Sequence, residues 1–144
     1  MKKTKLIFSM IFIGFTTLMF AHTALLYVED NYDGTISVEC AFSNGANTAG
    51  LTVYILENKE YKGKEESLNG KKILYKATLD DIGCADIVKP AVNDYIILFD
   101  GGPGHTTSLK GKILTDDEKD EWNTYINKNK KLIGKWLPFI KGEK

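Results

Sequence analysis

An all-β sandwich of seven short strands, closed by one C-terminal α-helix, is the fold this sequence predicts. Three observations carry that expectation. Thr35 to Phe42 alternates strictly, with Ile36, Val38, Cys40 and Phe42 on one face and Thr35, Ser37, Glu39 and Ala41 on the other, the period of a half-buried strand. Other short apolar runs recur along the chain, each bounded by Gly, Asn, Asp or Pro. After Leu114 the apolar period changes to that of a helix.

The first strand is expected at Ala24 to Val28, and Asp30-Asn31-Tyr32-Asp33-Gly34 supplies the turn that leads into the second, Thr35 to Phe42. Ser43 to Gly50 is polar and contains glycine, so it reads as a loop. Strands follow at Leu51 to Leu56, Lys72 to Leu79, Ala85 to Val88, Asp94 to Phe99 and Thr106 to Ile113. Strands at this spacing indicate an Ig-like sandwich. Between two of them, Glu57 to Gly70 is rich in lysine and glutamate and reads as an exposed hairpin loop with solvated charges.

The helical part opens on a capping box, Thr115 with Glu118. Asp116 and Asp117 put negative charge at its start, and Lys128, Lys130 and Lys131 put positive charge near its end, both favourable to the helix dipole. Trp122, Ile126, Ile133, Trp136 and Ile140 form one apolar stripe; Gly134 and Pro138 limit it. The stripe suits a helix covering the sandwich, with a docking or membrane-surface element around Trp136-Leu137-Pro138-Phe139 as the functional alternative.

The beginning of the chain sets the compartment. Met1-Lys2-Lys3-Thr4-Lys5 is a basic lead, Leu6 to Phe20 is apolar, and Ala21 ends it with a small residue, the layout of a secretory signal. Residues 1–21 are therefore expected to be the signal, 22–114 the sandwich and 115–144 the helix and tail. The apolar run is short for a membrane span, which needs about 20 residues; an uncleaved anchor is the competing reading. No spanning segment is expected after signal removal.

Of the 19 lysines, three precede His22, leaving 16 against 19 acidic residues, a net of −3 with no arginine. Such a chain lacks the basic face that phosphate neutralisation requires, which excludes nucleic acid as a partner. Cys40 and Cys84 are the only cysteines. In an exported chain an even pair reads as a disulfide, and closing this loop contributes about 4 kcal/mol in the chain-entropy picture. The alternative is two free, small apolar side chains.

Only two histidines occur, His22 and His105. Cleavage after Ala21 leaves His22 as the mature N-terminus, where its amine and imidazole lie within one chelate ring. His105 ends Asp100-Gly101-Gly102-Pro103-Gly104-His105, whose glycines and proline fix a particular backbone. With both imidazoles neutral, the three nitrogens suit Ni(II) or Cu(II), which favour tetragonal nitrogen and oxygen donors. Glu29, Asn31 and Asp33 before Gly34 resemble a calcium loop, but the position that needs a glutamate holds Cys40, so an ordinary turn is expected. No nucleophile elbow, phosphate loop or two-histidine zinc-protease motif is present, and neither Ser43 nor Ser108 has a base beside it in sequence. No enzyme activity is expected.

The segments Ala21-His22-Thr23-Ala24-Leu25-Leu26-Tyr27-Val28, Asp33-Gly34-Thr35-Ile36 and Phe42-Ser43-Asn44-Gly45 resemble the start of exported accessory proteins of bacterial nickel uptake systems. Asp81 to Gly83, Ile87, Pro90, Tyr95, Phe99 and the loop Asp100 to His105 look like the closing strands of that group, which is related to carboxypeptidase-regulatory or transthyretin-like sandwiches. The resemblance covers the chain to about Ile113 and implies a periplasmic protein that binds or hands over a transition metal at His22 and His105, beside a membrane metal permease. A looser similarity is to CopC-like copper-binding sandwiches, whose further histidines and methionines are missing here. The rival expectation is a periplasmic interaction module that contacts a transporter, an envelope component or a carbohydrate.

Overall fold

The computed structural model describes residues 22–121. The expected signal and the stripe from Trp122 to Ile140 lie outside these residues. The chain forms β1 (Ala24–Asp30), β2 (Thr35–Phe42), β3 (Thr52–Glu57), β4 (Ser67–Leu68), β5 (Lys71–Thr78), β6 (Cys84–Val88), β7 (Tyr95–Asp100) and β8 (Thr106–Lys110), followed by a helical segment, α1, at 116–121. The architecture is all-β in two sheets of antiparallel pairs, ordered β1-β2-β6 and β4-β5-β3-β7-β8. No helix among the described residues is long and apolar enough to cross a membrane.

The alternation read in β2 is what joins the sheets. Ile36, Val38 and Cys40 point inward from its centre, with Leu26 of β1 and Ile87 of β6 beside them. Val53 and Ile55 of β3 and Tyr95, Ile97 and Phe99 of β7 complete the core from the other sheet. Removing this apolar surface from water is the main stabilising term.

The disulfide expected between Cys40 and Cys84 is not formed, and both thiols are free. Cys84 pairs in register with the exposed Glu39, one position before Cys40. Adjacent residues of a strand point to opposite faces, so Cys40 enters the core while Cys84 leaves on the outer face. Burial pushes the Cys40 thiol up to about 12, helped by Cys84 and Glu39.

Two expected boundaries also shift. The charged segment Glu57 to Gly70 contains the two-residue β4, held to β5 through Ser67 with Lys72 and Leu68 with Lys71. Its charges are paired as well as solvated: Lys72 meets Glu65 at 2.5 Å, Lys76 meets Glu66, and the Lys76 ammonium lies 5.8 Å from the Tyr54 ring centre. The last strand stops at Lys110 because the chain then bends over Tyr95. A Cβ at Gly111 would fall 2.0 Å from the Tyr95 ring, so only glycine allows this approach, and the Tyr95 hydroxyl donates to the Lys112 carbonyl at 2.7 Å.

At the same end, Lys89 is fully buried, and its ammonium lies 2.8 Å from Asp30 and 2.6 Å from Glu118. Glu118 is the capping-box residue: Thr115 N–H donates to its Oε2 at 2.7 Å, and Glu118 N–H donates to Thr115 Oγ1 at 3.2 Å. Its Oε1 also accepts from Gly34 N–H at 3.1 Å. Burial opposes the charge on Lys89, but its bonds to Asp30 and Glu118 outweigh this and hold it above its ordinary 10.5. Burial likewise opposes the Glu118 charge; Lys89 and the N–H donors of Thr115 and Gly34 prevail and hold it below 4.5. One buried cation thus ties the end of β1 to the start of α1.

Candidate metal centre

The other end of the sandwich carries both histidines. Thr23 N–H donates to Ser43 Oγ at 2.9 Å and Ser43 N–H donates to the Thr23 carbonyl at 2.9 Å, so the chain just ahead of β1 is fastened beyond the end of β2. His22 therefore lies above the paired ends of those strands, where Ala24 faces Phe42.

His105 arrives from the opposite sheet, at the close of the β7–β8 hairpin. Gly101 N–H donates to the His105 carbonyl at 3.0 Å, His105 N–H donates to the Gly102 carbonyl at 2.9 Å, and Gly102 N–H donates to Asp100 Oδ1 at 2.9 Å. These bonds close the loop whose rigidity the glycine and proline content predicts.

Phe42 joins the two halves. Its ring centre is 5.7 Å from that of Phe99 in the core and 5.9 Å from that of His105, which it meets edge-on. A Cβ at Gly101 would lie 2.6 Å from the Phe42 ring, so the loop seats this aromatic only because residue 101 has no side chain. Nothing in the sequence signals that role, since β2 alternation marks Phe42 only as core-facing.

The two imidazoles are brought together: their ring centres are 5.9 Å apart and their planes are inclined by 31°. His105 Nδ1 lies 2.9 Å from the Pro103 carbonyl oxygen. A carbonyl can only accept, so this bond places the proton on Nδ1 and leaves the Nε2 lone pair for a ligand, an arrangement common in metal-binding histidines. An ion about 2 Å from one nitrogen of each ring sets the ring centres roughly 4.5 Å apart for adjacent coordination positions and about 6.3 Å apart for opposite ones. The observed separation lies between the two, nearer the second, which puts both rings within reach of a single metal ion.

The carboxylates of Asp30 and Asp33 lie at the other end of the sandwich. Asp30 ends β1 and serves Lys89 and the Tyr32 N–H, while Asp33 accepts from Thr35 N–H at 3.0 Å and from its hydroxyl at 2.5 Å. Six residues of strand separate Asp30 from Ala24, about 20 Å at the usual rise. Glu29 and Asp30 belong to β1, and residues 31–34 make the link to β2. Among the described residues no group of three or more His, Cys, Asp or Glu gathers to hold a metal.

Compared with protein-family models, with curated proteins and with solved structures, the chain has no match.

Proposed function

We propose that this chain is an exported, periplasmic transition-metal-binding accessory protein that holds Ni(II) or Cu(II) for uptake or delivery by a membrane metal permease. It acts by binding and carries out no catalysis. His22 contributes its amine and imidazole and His105 contributes Nε2, with Phe42 and the Pro103 carbonyl fixing the second ring. The observation that carries this reading is the 5.9 Å separation of two imidazoles delivered by different sheets. Those two are the only histidines of the 144 residues.

We assign the sandwich to the Ig-like type on its strand order. The order β1-β2-β6 corresponds to strands A, B and E of an immunoglobulin sandwich, and β3-β7-β8 to C, F and G. The fourth long strand, β5, has moved beside β3.

The test is calorimetry with Ni(II) and Cu(II) on protein that begins at His22. Binding at one equivalent is expected. A His22→Ala, His105→Ala double variant should lose it, and one extra residue ahead of His22 should weaken it. Unchanged binding in the double variant removes the site, and leaves the sandwich as a module that recognises a protein or carbohydrate through its loops.

A further inference from the structure

The two sheets differ on the side that faces away from the core. On the three-stranded sheet, Tyr27, Glu39 and Asp86 point outward and are exposed, as in an antiparallel sheet with one solvated face. The five-stranded sheet is different at its centre. Tyr54 lies between the core residues Val53 and Ile55, and Ile96 and Leu98 alternate with Tyr95, Ile97 and Phe99, so all three point away from the core. Leu56 and Ile73 share their side through the register Ile73, Leu56, Ile96 across β5, β3 and β7.

None of these five belongs to the core cluster, yet none is exposed, and Leu56 and Leu98 are only 1% and 8% accessible. Lys76, Ser108 and Lys110, in register around them, are exposed. An apolar centre inside a polar rim is the anatomy of a covered surface. Neighbours within a sheet flank a leucine, but sealing its outer end takes a second layer.

The segment after α1 can supply that layer. The chain leaves β8 beside Tyr95, the residue before Ile96, and Glu118 fixes α1 at that end of the sandwich. The 23 residues beyond 121 include the apolar stripe Trp122, Ile126, Ile133, Trp136 and Ile140. As a helix, Trp122 to Ile133 would span about 17 Å, against about 20 Å for the six-residue strands β3 and β7. Charge favours the same partner. Residues 122–144 hold six lysines and one glutamate, whereas residues 22–121 hold ten lysines against 18 acidic residues. The body attracts the segment, at the high effective concentration that a covalent link gives, and its own negative charge opposes approach to an anionic lipid surface.

We propose that residues 122–140 pack their apolar stripe on the outer face of the five-stranded sheet, over Leu56, Ile96 and Leu98, as a third layer of the molecule. Trp136-Leu137-Pro138-Phe139 is then part of a cover over the sheet and not a membrane-surface element. This inference is independent of the metal-binding reading.

Trp122 and Trp136 are the only tryptophans of the chain, so their fluorescence reports on this segment alone. The test uses metal-free protein from His22 to Lys144. Emission at short wavelength and weak quenching by acrylamide are expected, unchanged on dilution or on adding phosphatidylglycerol vesicles. Leu98→Lys, and separately Ile96→Lys, should move the emission to longer wavelength and raise quenching towards its value in urea, while circular dichroism keeps the strand signal. Nuclear Overhauser contacts from the indole protons to the Leu56 and Leu98 methyl groups in the unaltered chain read the same packing without a substitution. Solvent-exposed tryptophans in the free chain overturn the proposal. So does burial that arises only with vesicles, which assigns the segment to a membrane surface, or burial that fades on dilution, which assigns it to a second copy. Unchanged quenching in a folded Leu98→Lys variant, or absence of the indole-to-methyl contacts, overturns it as well.

Discussion

Glu118 and Lys89 meet at 2.6 Å with both side chains sealed from solvent, 4% and 0% exposed, so the helical segment is joined to the sandwich through a charge pair that water barely reaches. Removing one member of such a pair leaves the other buried without compensation, at a cost of about 3–5 kcal/mol. Lys89→Ala is expected to lower stability by about that amount in urea unfolding. The triple variant Lys89→Met, Glu118→Gln, Asp30→Asn should recover a large part of the loss, because no charge then remains to be solvated.

The same pair sets a pH window. Glu118 is held below its ordinary 4.5, so its contribution is complete above that value and fades as pH falls through the lower folded value. Lys89 is held above 10.5, so its contribution is complete below that value and fades as pH rises through the higher folded value. Unfolding free energy measured against pH should show a plateau between these limits as far as this pair is concerned. Glu118→Gln should flatten the acid limb.

Gly111→Ala places a methyl group against the Tyr95 ring, 2.0 Å from its nearest atom. Overpacking of this kind costs about 1–3 kcal/mol, and thermal unfolding should show the corresponding fall in Tm. Tyr95→Phe removes the hydroxyl that donates to the Lys112 carbonyl and should cost about 1 kcal/mol.

Phe42→Ala removes the surface against which the His105 ring rests. Residues that orient a metal-binding histidine typically affect affinity by about 10- to 100-fold, and calorimetric titration with Cu(II) is expected to show a loss near the lower end. The core contact with Phe99 is lost too, so the unfolding curve must be recorded alongside to confirm that the variant is folded during the titration.

With both thiols free, a reducing agent should leave Tm unchanged, and intact mass should be that of the unbridged chain. The raised pKa of Cys40, about 12, predicts slow reaction with a thiol reagent at neutral pH until denaturant is added. Cys40→Ala should destabilise the core, whereas Cys84→Ser, on the outer face, should be nearly silent.

Much of this fold is legible in the sequence because the sandwich rests on local signals. Alternation in β2 announces its own buried face, turn residues mark most strand ends, and Thr115 with Glu118 declares a capping box that the structure closes with two hydrogen bonds. What escapes is pairing between distant segments. The meeting of Cys84 with Glu39 instead of Cys40 depends on a one-residue register that composition cannot give. Lys89 reads as a surface lysine until Asp30 and Glu118 are seen to converge on it. The histidines could be singled out by their scarcity and their positions, but the Phe42 ring and the Pro103 carbonyl that set His105 carry no local mark.

β1 is an edge strand, bonded within its sheet to β2 alone. It leads from the histidine end of the molecule to the carboxylate of Asp30, so the two ends share one mechanical element. Peeling of this margin, a partial opening far cheaper than global unfolding, would part the two imidazoles at one extremity and slacken the Asp30–Lys89 contact at the other in a single event. Amide exchange along residues 24–30, followed with and without bound metal, would register that concerted breathing, and slowing confined to its first residues would show the two extremities to be independent.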